Sequence, residues 1–183
     1  MRKRLTWLVL FSAAIVVTAL YHAKNVLATQ AQGFTGTTLA VGRFGEFDVF
    51  THFIPPNSPP SSREEERRKS NIWLSWQKTK GSSDLYVQSN VWLPRGSTGW
   101  HSHPGHSLII VTAGTVTDYE GDDPDCKPHV YTQGMGFVDP GGDRVHIIRN
   151  EGDVEAKTIA VQLIPADATR RIDVPPPRGN CPF

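Results

Sequence analysis

Three histidines and their surroundings carry the chemistry legible in this chain. In Gly96-Ser-Thr-Gly-Trp-His101-Ser-His103-Pro-Gly-His106-Ser107, two histidines stand one residue apart. Side chains on an extended strand alternate with period 2, so His101 and His103 face the same way. A second segment, Gly134-Met-Gly-Phe-Val-Asp-Pro140-Gly-Gly-Asp-Arg-Val-His146-Ile-Ile-Arg-Asn150, puts His146 on a separate apolar run. Imidazoles from separate strands, meeting inside a closed sheet, would form a three-nitrogen site for a divalent metal ion. Fe, Zn, Mn or Ni suit such donors, as does Cu, with open positions left for water or substrate. An ion held there would act as a Lewis acid or activate bound water or O₂. The plainer alternative is that each histidine is a core residue hydrogen-bonded within the barrel.

These segments need strands to hold them, and strand signals are plentiful. Alternating or β-branched runs cover 38–44, 47–50, 72–77, 85–93, 107–112, 115–119, 130–132, 136–138, 144–149 and 155–164. The first two look like an edge pair. Gly, Pro and Asp turns separate the runs at close spacing, which predicts an all-β sandwich or barrel. Helical periodicity is nearly absent. The glycines Gly114, Gly141 and Gly142 read as turn positions with unusual backbone angles. Trp92, Trp100, Phe137 and Tyr131 read as core. His129, beside a cysteine-bearing loop, reads as surface. Pro55-Pro-Asn-Ser-Pro-Pro-Ser-Ser62 and the charged Arg63–Lys69 run make residues 51–70 a surface excursion with no assigned function.

The front of the chain reads as a targeting segment. Met1-Arg-Lys-Arg4 precedes an uncharged, mainly apolar run from Leu5 to Tyr21, and small residues follow at Val26-Leu27-Ala28 and Thr29-Gln30-Ala31. This predicts a hydrophobic signal or anchor helix within residues 1–31, either cleaved on export or retained as a membrane anchor. In both cases the rest of the chain is secreted, periplasmic or otherwise extracytoplasmic, touching membrane only through this segment. Arg2, Lys3, Arg4 and Lys24 lie in the segment, leaving the remainder at −3, four charges below the whole chain's +1. A mildly acidic domain without a basic stripe argues against nucleic acid. Cys126 and Cys181 both follow the segment, and an even count in an oxidising compartment predicts one disulfide tethering the Pro-rich tail. The rival use, a Cys pair binding metal, lacks neighbouring ligands at the right spacing.

The two histidine blocks resemble the paired motifs of the cupin superfamily, of the small type-2-like kind found in exported bacterial proteins. The first motif is matched by Gly96, His101-x-His103, Ser107 and Gly114. The second is matched by Gly134, Pro140-x-Gly142, His146 and Asn150, with one residue extra before His146. The likeness covers about residues 85–165. It implies a single cupin jelly-roll barrel: core and tail in 85–183, with preceding strands and the excursion in 32–84. It also implies His101, His103 and His146 as metal ligands. Ser107 stands where the family usually has a glutamate ligand, so a three-His-one-Glu set is incomplete at that position. The ion's charge would then be uncompensated, favouring an anionic substrate. Ser107 and His106 become pocket candidates: His106 has the opposite strand parity, but Pro104-Gly105 can break the alternation. Asp143, Asn150 and Gln162 are candidate partners for the outer ring nitrogens, whereas Asp118, Tyr119 and Glu120 sit at a hairpin end, a poor place for chemistry.

Functionally, the resemblance implies a metal-dependent enzyme acting on a small organic molecule by oxygenase- or isomerase-type chemistry. A non-catalytic barrel that binds or senses a small ligand or metal, or a structural envelope protein with a vestigial site, are its alternatives. Dimerisation through edge strands is a further family-level expectation.

Overall fold

The structure, a computed structural model, describes residues 28–53, 73–177, 181 and 183. The predicted signal or anchor helix lies almost wholly outside the described residues, as does most of the 51–70 excursion. No helix among the described residues is long and apolar enough to cross a membrane.

The strands are β1 (Gln32–Phe44), β2 (Asp48–Phe53), β3 (Trp73–Lys78), β4 (Ser83–Ser97), β5 (His101–Ser102) and β6 (Ser107–Ala113). They continue as β7 (Thr115–Glu120), β8 (His129–Thr132), β9 (Gly136–Asp139), β10 (His146–Arg149), β11 (Ala156–Pro165) and β12 (Ile172–Asp173). One curled, all-antiparallel sheet runs β12-β5-β10-β4-β11-β6-β9, with β1 added on β4 and β7 and β8 continuing from β10. This nearly closed, barrel-like sheet is consistent with a jelly roll. β4 is its spine: Trp92 faces Phe34 on one side and Ala156 on the other.

Period-2 alternation decides which residues enter the barrel. On β6, Ser107, Ile109 and Val111 are buried while Leu108, Ile110 and Thr112 are exposed. On β11, Ala156, Thr158, Ala160 and Gln162 point inward. The dry core gathers Trp92, Ile109, Val111, Val116, Phe137, Ile148, Ala156 and Ala160, with Phe34 and Tyr131 packed against it. Each large aliphatic or aromatic side chain so buried contributes about 1.5–3 kcal/mol relative to exposure. Trp92 and Trp100 are fully buried, Phe137 is buried and Tyr131 stacks on it at 4.2 Å, so all four serve packing as expected. Gly114, Gly141 and Gly142 have φ of +67°, +66° and +69°, and His129 is exposed.

Two expectations need correction. The first two strands do not form an edge pair: β1 pairs with β4 over its whole length, and β2 pairs with β3 as a separate two-stranded arm. A thirteen-residue strand finds far more hydrogen-bond partners along fifteen-residue β4 than on short β2. Thr51, His52 and Phe53 belong to β2 rather than to the excursion. The two-residue strands β5 and β12 carry too few residues for a periodic signal, yet β5 delivers a histidine to the interior.

The tail is fastened. Cys126 and Cys181 are disulfide-bonded, with Cα atoms 5.2 Å apart. Trp100 Nε1 donates to the Phe183 carbonyl at 3.2 Å, and the Phe183 ring lies 4.9 Å from Tyr119 and under the Arg149 guanidinium at 4.2 Å.

Candidate metal centre

His101 lies on β5 and His146 opens β10, and the two are direct antiparallel partners. Directly opposed residues point to the same side of a sheet, so both rings enter the barrel, and each residue is only 3% exposed. His103, two residues beyond His101, keeps the same parity. Ring centroids lie 4.5 Å apart for His101–His146, 4.8 Å for His101–His103 and 5.9 Å for His103–His146. The ligand atoms of the three fall within 4.8 Å of one another. The structure therefore brings together the three histidines that the sequence singles out.

The outer nitrogens fix the tautomers. His101 Nδ1 lies 2.9 Å from the Gly99 carbonyl and His103 Nδ1 lies 2.6 Å from the Arg170 carbonyl. His146 Nδ1 lies 3.1 Å from Asp118 Oδ1. All three partners are acceptors, so each Nδ1 carries the proton and each Nε2 of a neutral ring presents a lone pair inward. His146 Nε2 is buried with no hydrogen-bond partner. A buried unpaired nitrogen costs about 1–3 kcal/mol unless something occupies it. Burial, reinforced by the His146 and Arg171 charges, holds the His101 ring well below the usual imidazole range. Burial also lowers His103, against the opposing pull of its Arg170 carbonyl bond and of Asp139. At His146 burial acts downward too, but the Asp118 hydrogen bond and the Asp118 and Asp139 charges prevail and raise it.

The ring partners differ from those expected. Asn150 donates to the carbonyls of Trp92, Leu93 and Val154, tying a turn to β4 without touching an imidazole. Asp143 is exposed and lies by a cleft near Val174 and Pro175. Gln162 donates to Ser107 Oγ at 3.4 Å and accepts from Arg170 Nε at 3.1 Å, which makes it cavity wall. Asp118, dismissed as a hairpin-end residue, is the carboxylate behind His146. In the β7–β10 register Ile148 opposes Asp118, which places Asp118 diagonally across from His146. His106 does not join the triad: its ring sits 3.4 Å from the Gln77 amide nitrogen, in a separate cleft with Leu163 and Pro165. Its opposite parity prevails over the Pro104-Gly105 break.

The three rings line a cavity of about 270 Å³. Ser107, as expected, is in its wall, together with Gln88, Asn90, Gln162, Asp139, Arg170 and Arg171. Arg170 spends three donors on neutral acceptors: Gln162 Oε1, Thr38 Oγ1 and Gln88 Oε1. Its guanidinium lies 4.4 Å from the Tyr86 ring centroid, and among the described residues no carboxylate pairs with it. Arg171 by contrast is paired with Asp173 at 2.6 Å. Sequence reasoning missed Asp118, Asp139 and both arginines. Parity exposes the two aspartates, since Asp118 is two residues from buried Val116 and Asp139 two from buried Phe137. The arginines follow β11 in irregular chain and carry no periodic signal.

A triad of inward lone pairs, one of them orphaned, fits a divalent metal ion held by His101, His103 and His146. Residues 91–162 match the family described as Cupin domain. No curated protein matches the chain. Among solved structures, the chain is similar to oxalate oxidase in complex with the substrate analogue glycolate (22% identity, 49% of this chain and 46% of that chain, TM-score 0.42). It is similar to a cupin superfamily protein from Desulfitobacterium hafniense DCB-2 (15% identity, 44% of this chain and 67% of that chain, TM-score 0.37). It also resembles DMSP lyase structures (18% identity, 49% of this chain and 44% of that chain, TM-score 0.42). The match spans about half the length of the oxalate oxidase chains.

Proposed function

Given that residues 91–162 match the cupin domain family, we propose that this barrel holds a divalent metal ion on His101, His103 and His146 and acts on a small organic anion in the adjoining cavity. The observation that carries this reading is the orphaned, buried His146 Nε2, aimed with its two neighbours at one point. When bound, the ion supplies Lewis-acid or O₂-activating chemistry of the oxygenase or isomerase type. The chain's own groups do the rest. Asp118 and the Gly99 and Arg170 carbonyls hold the three rings in the ligating tautomer and orientation. Arg170, lacking a carboxylate partner among the described residues, offers its remaining N–H donors to an anionic group of the substrate. Trp92, Ile109 and Ile148 close the floor of the cavity against water. The 270 Å³ volume lies just below the roughly 300–1,000 Å³ usual for ligand pockets and suits a small molecule.

The experiment is a binding and turnover screen of short mono- and dicarboxylates against neutral isosteres of equal size, with Arg170→Met beside the parent chain. Carboxylates should bind at least about 10-fold more tightly than their isosteres, and Arg170→Met should remove that preference. Equal binding of both classes would reject the anionic substrate, and binding without turnover of any member would assign the barrel to ligand binding or sensing. The 1–31 segment is proposed to export the chain, a reading supported by the Cys126–Cys181 bond, which persists in oxidising compartments. Protease protection of the domain in intact cells tests it.

A further inference from the structure

Resting on the metal reading above, we propose that Asp139 is a fourth protein ligand, supplying from β9 the carboxylate that Ser107 leaves missing on β6.

Ser107 and Asp139 are direct cross-strand partners in the β6–β9 ladder. Opposed residues of an antiparallel pair present their side chains on one face, with Cβ atoms about 4.5–5.5 Å apart. A carboxylate moved from one partner to the other therefore stays at the same level of the barrel and on the same side. Ser107 Oγ donates to Asp139 Oδ2 at 3.4 Å, so the serine now orients the carboxylate whose usual place it holds.

The carboxylate faces two of the three rings, those of His103 and His146. Asp139 Oδ2 lies 3.8 Å from His103 Nε2 and 4.0 Å from His146 Nε2. These separations are too long for hydrogen bonds. Ligands about 2.0–2.2 Å from one ion stand roughly 3.3–3.6 Å apart at tetrahedral angles, so a side-chain shift of a few tenths of an ångström brings the carboxylate to ligating distance. Asp139 is 3% exposed, and among the described residues no Lys or Arg pairs with it. A buried carboxylate without a fixed cationic partner is costly, and a cation between it and the rings offsets that cost.

The position is built rather than incidental. Gly141 N donates to Asp139 Oδ1 at 2.8 Å, so that Oδ2, which accepts only the long Ser107 bond, faces the rings. Gly141 has φ +66°, and a Cβ there would collide with the Gly105 backbone. A Cβ on Gly105 would collide with the Leu163 carbonyl. Two glycines thus let the turn after Asp139 press against the turn after His103, which keeps ligand and carboxylate adjacent. The ion's charge is then partly balanced by the chain, contrary to the expectation drawn from Ser107 alone.

The test is Co²⁺ titration of the metal-stripped full chain, read by the visible d–d absorption and by chelator competition. Four proteins are compared: the parent, Asp139→Asn, His101→Ala, and the relocated pair Ser107→Glu with Asp139→Ser. Asp139→Asn keeps the acceptor for Gly141 N–H, so the turn persists. It should lose more than the ~10–100-fold in affinity that an outer partner accounts for, with an altered Co²⁺ spectrum. The relocated pair should regain affinity to within about 10-fold of the parent. An Asp139→Asn protein whose spectrum is unchanged overturns the inference, whatever its affinity. If Asp139→Asn fails to fold, the relocated pair decides alone, and its failure to bind overturns the inference. Failure of the parent to bind Co²⁺ overturns the metal reading itself, an outcome distinct from either of these.

Discussion

The barrel interior has two halves, and the same strands build both. Ile109, Ile148, Phe137, Val116 and Ala160 line one end; two residues along each strand, Ser107, His146, Asp139, Asp118 and Gln162 line the other. Each step keeps the parity that points a side chain inward and changes only its depth. The dry half holds the sheets together by burial, while the polar half is held by hydrogen bonds to fixed acceptors. Stability and chemistry are thereby separated along one axis, so a substitution should report on one half without disturbing the other.

The sharpest way to break that division lies in the dry half. Trp92→Ala should cost about 3–5 kcal/mol in urea unfolding, while the folded fraction keeps its metal stoichiometry. Loss of the metal from folded Trp92→Ala protein would show that the halves are not separable. A smaller effect is expected from behind the site. Asp118→Asn should weaken metal binding about 10–100-fold, seen in chelator competition, with an unfolding midpoint near the parent's. A large fall in stability instead would make Asp118 a structural residue of the dry half.

The smallest effect is in the pH dependence of the metal-free barrel. Burial holds His101 and His103 below their unfolded value near 6.5. Their contribution to stability is therefore present above that value and lost as pH falls from it through their lowered folded values. His146 is raised, so its contribution has the opposite sense: present below the unfolded value and lost as pH rises through the folded one. Two groups against one predict a modestly lower thermal midpoint at pH 5 than at pH 7.5, with a larger drop in His146→Gln. A midpoint that rises on acidification would mean that the rings are not desolvated as described.

How much of this was legible in the residues follows the same axis. The wall strands were readable because alternation persists over four or more residues, and the His101, His103 and His146 convergence followed from parity and separation on two strands. The Cys126–Cys181 tether followed from cysteine count and expected compartment. The pairing of β1 with β4 was not readable, because register depends on a partner some fifty residues away. Asp118 and Asp139 were overlooked for a different reason: each shares the parity of a core residue, but polar residues near strand ends look like turn chemistry. Arg170 reaches the cavity from irregular chain, where no period betrays a side chain's direction.

Metal stoichiometry tests the convergence of His101, His103 and His146 most directly. Full-length chain isolated from its native compartment, together with His101→Ala and His146→Ala, would be assayed by elemental analysis alongside circular dichroism. The expected result is one divalent transition-metal ion per parent chain and none on either folded variant. A parent chain without stoichiometric metal, or variants that retain it, would contradict the convergence of the three rings on an ion.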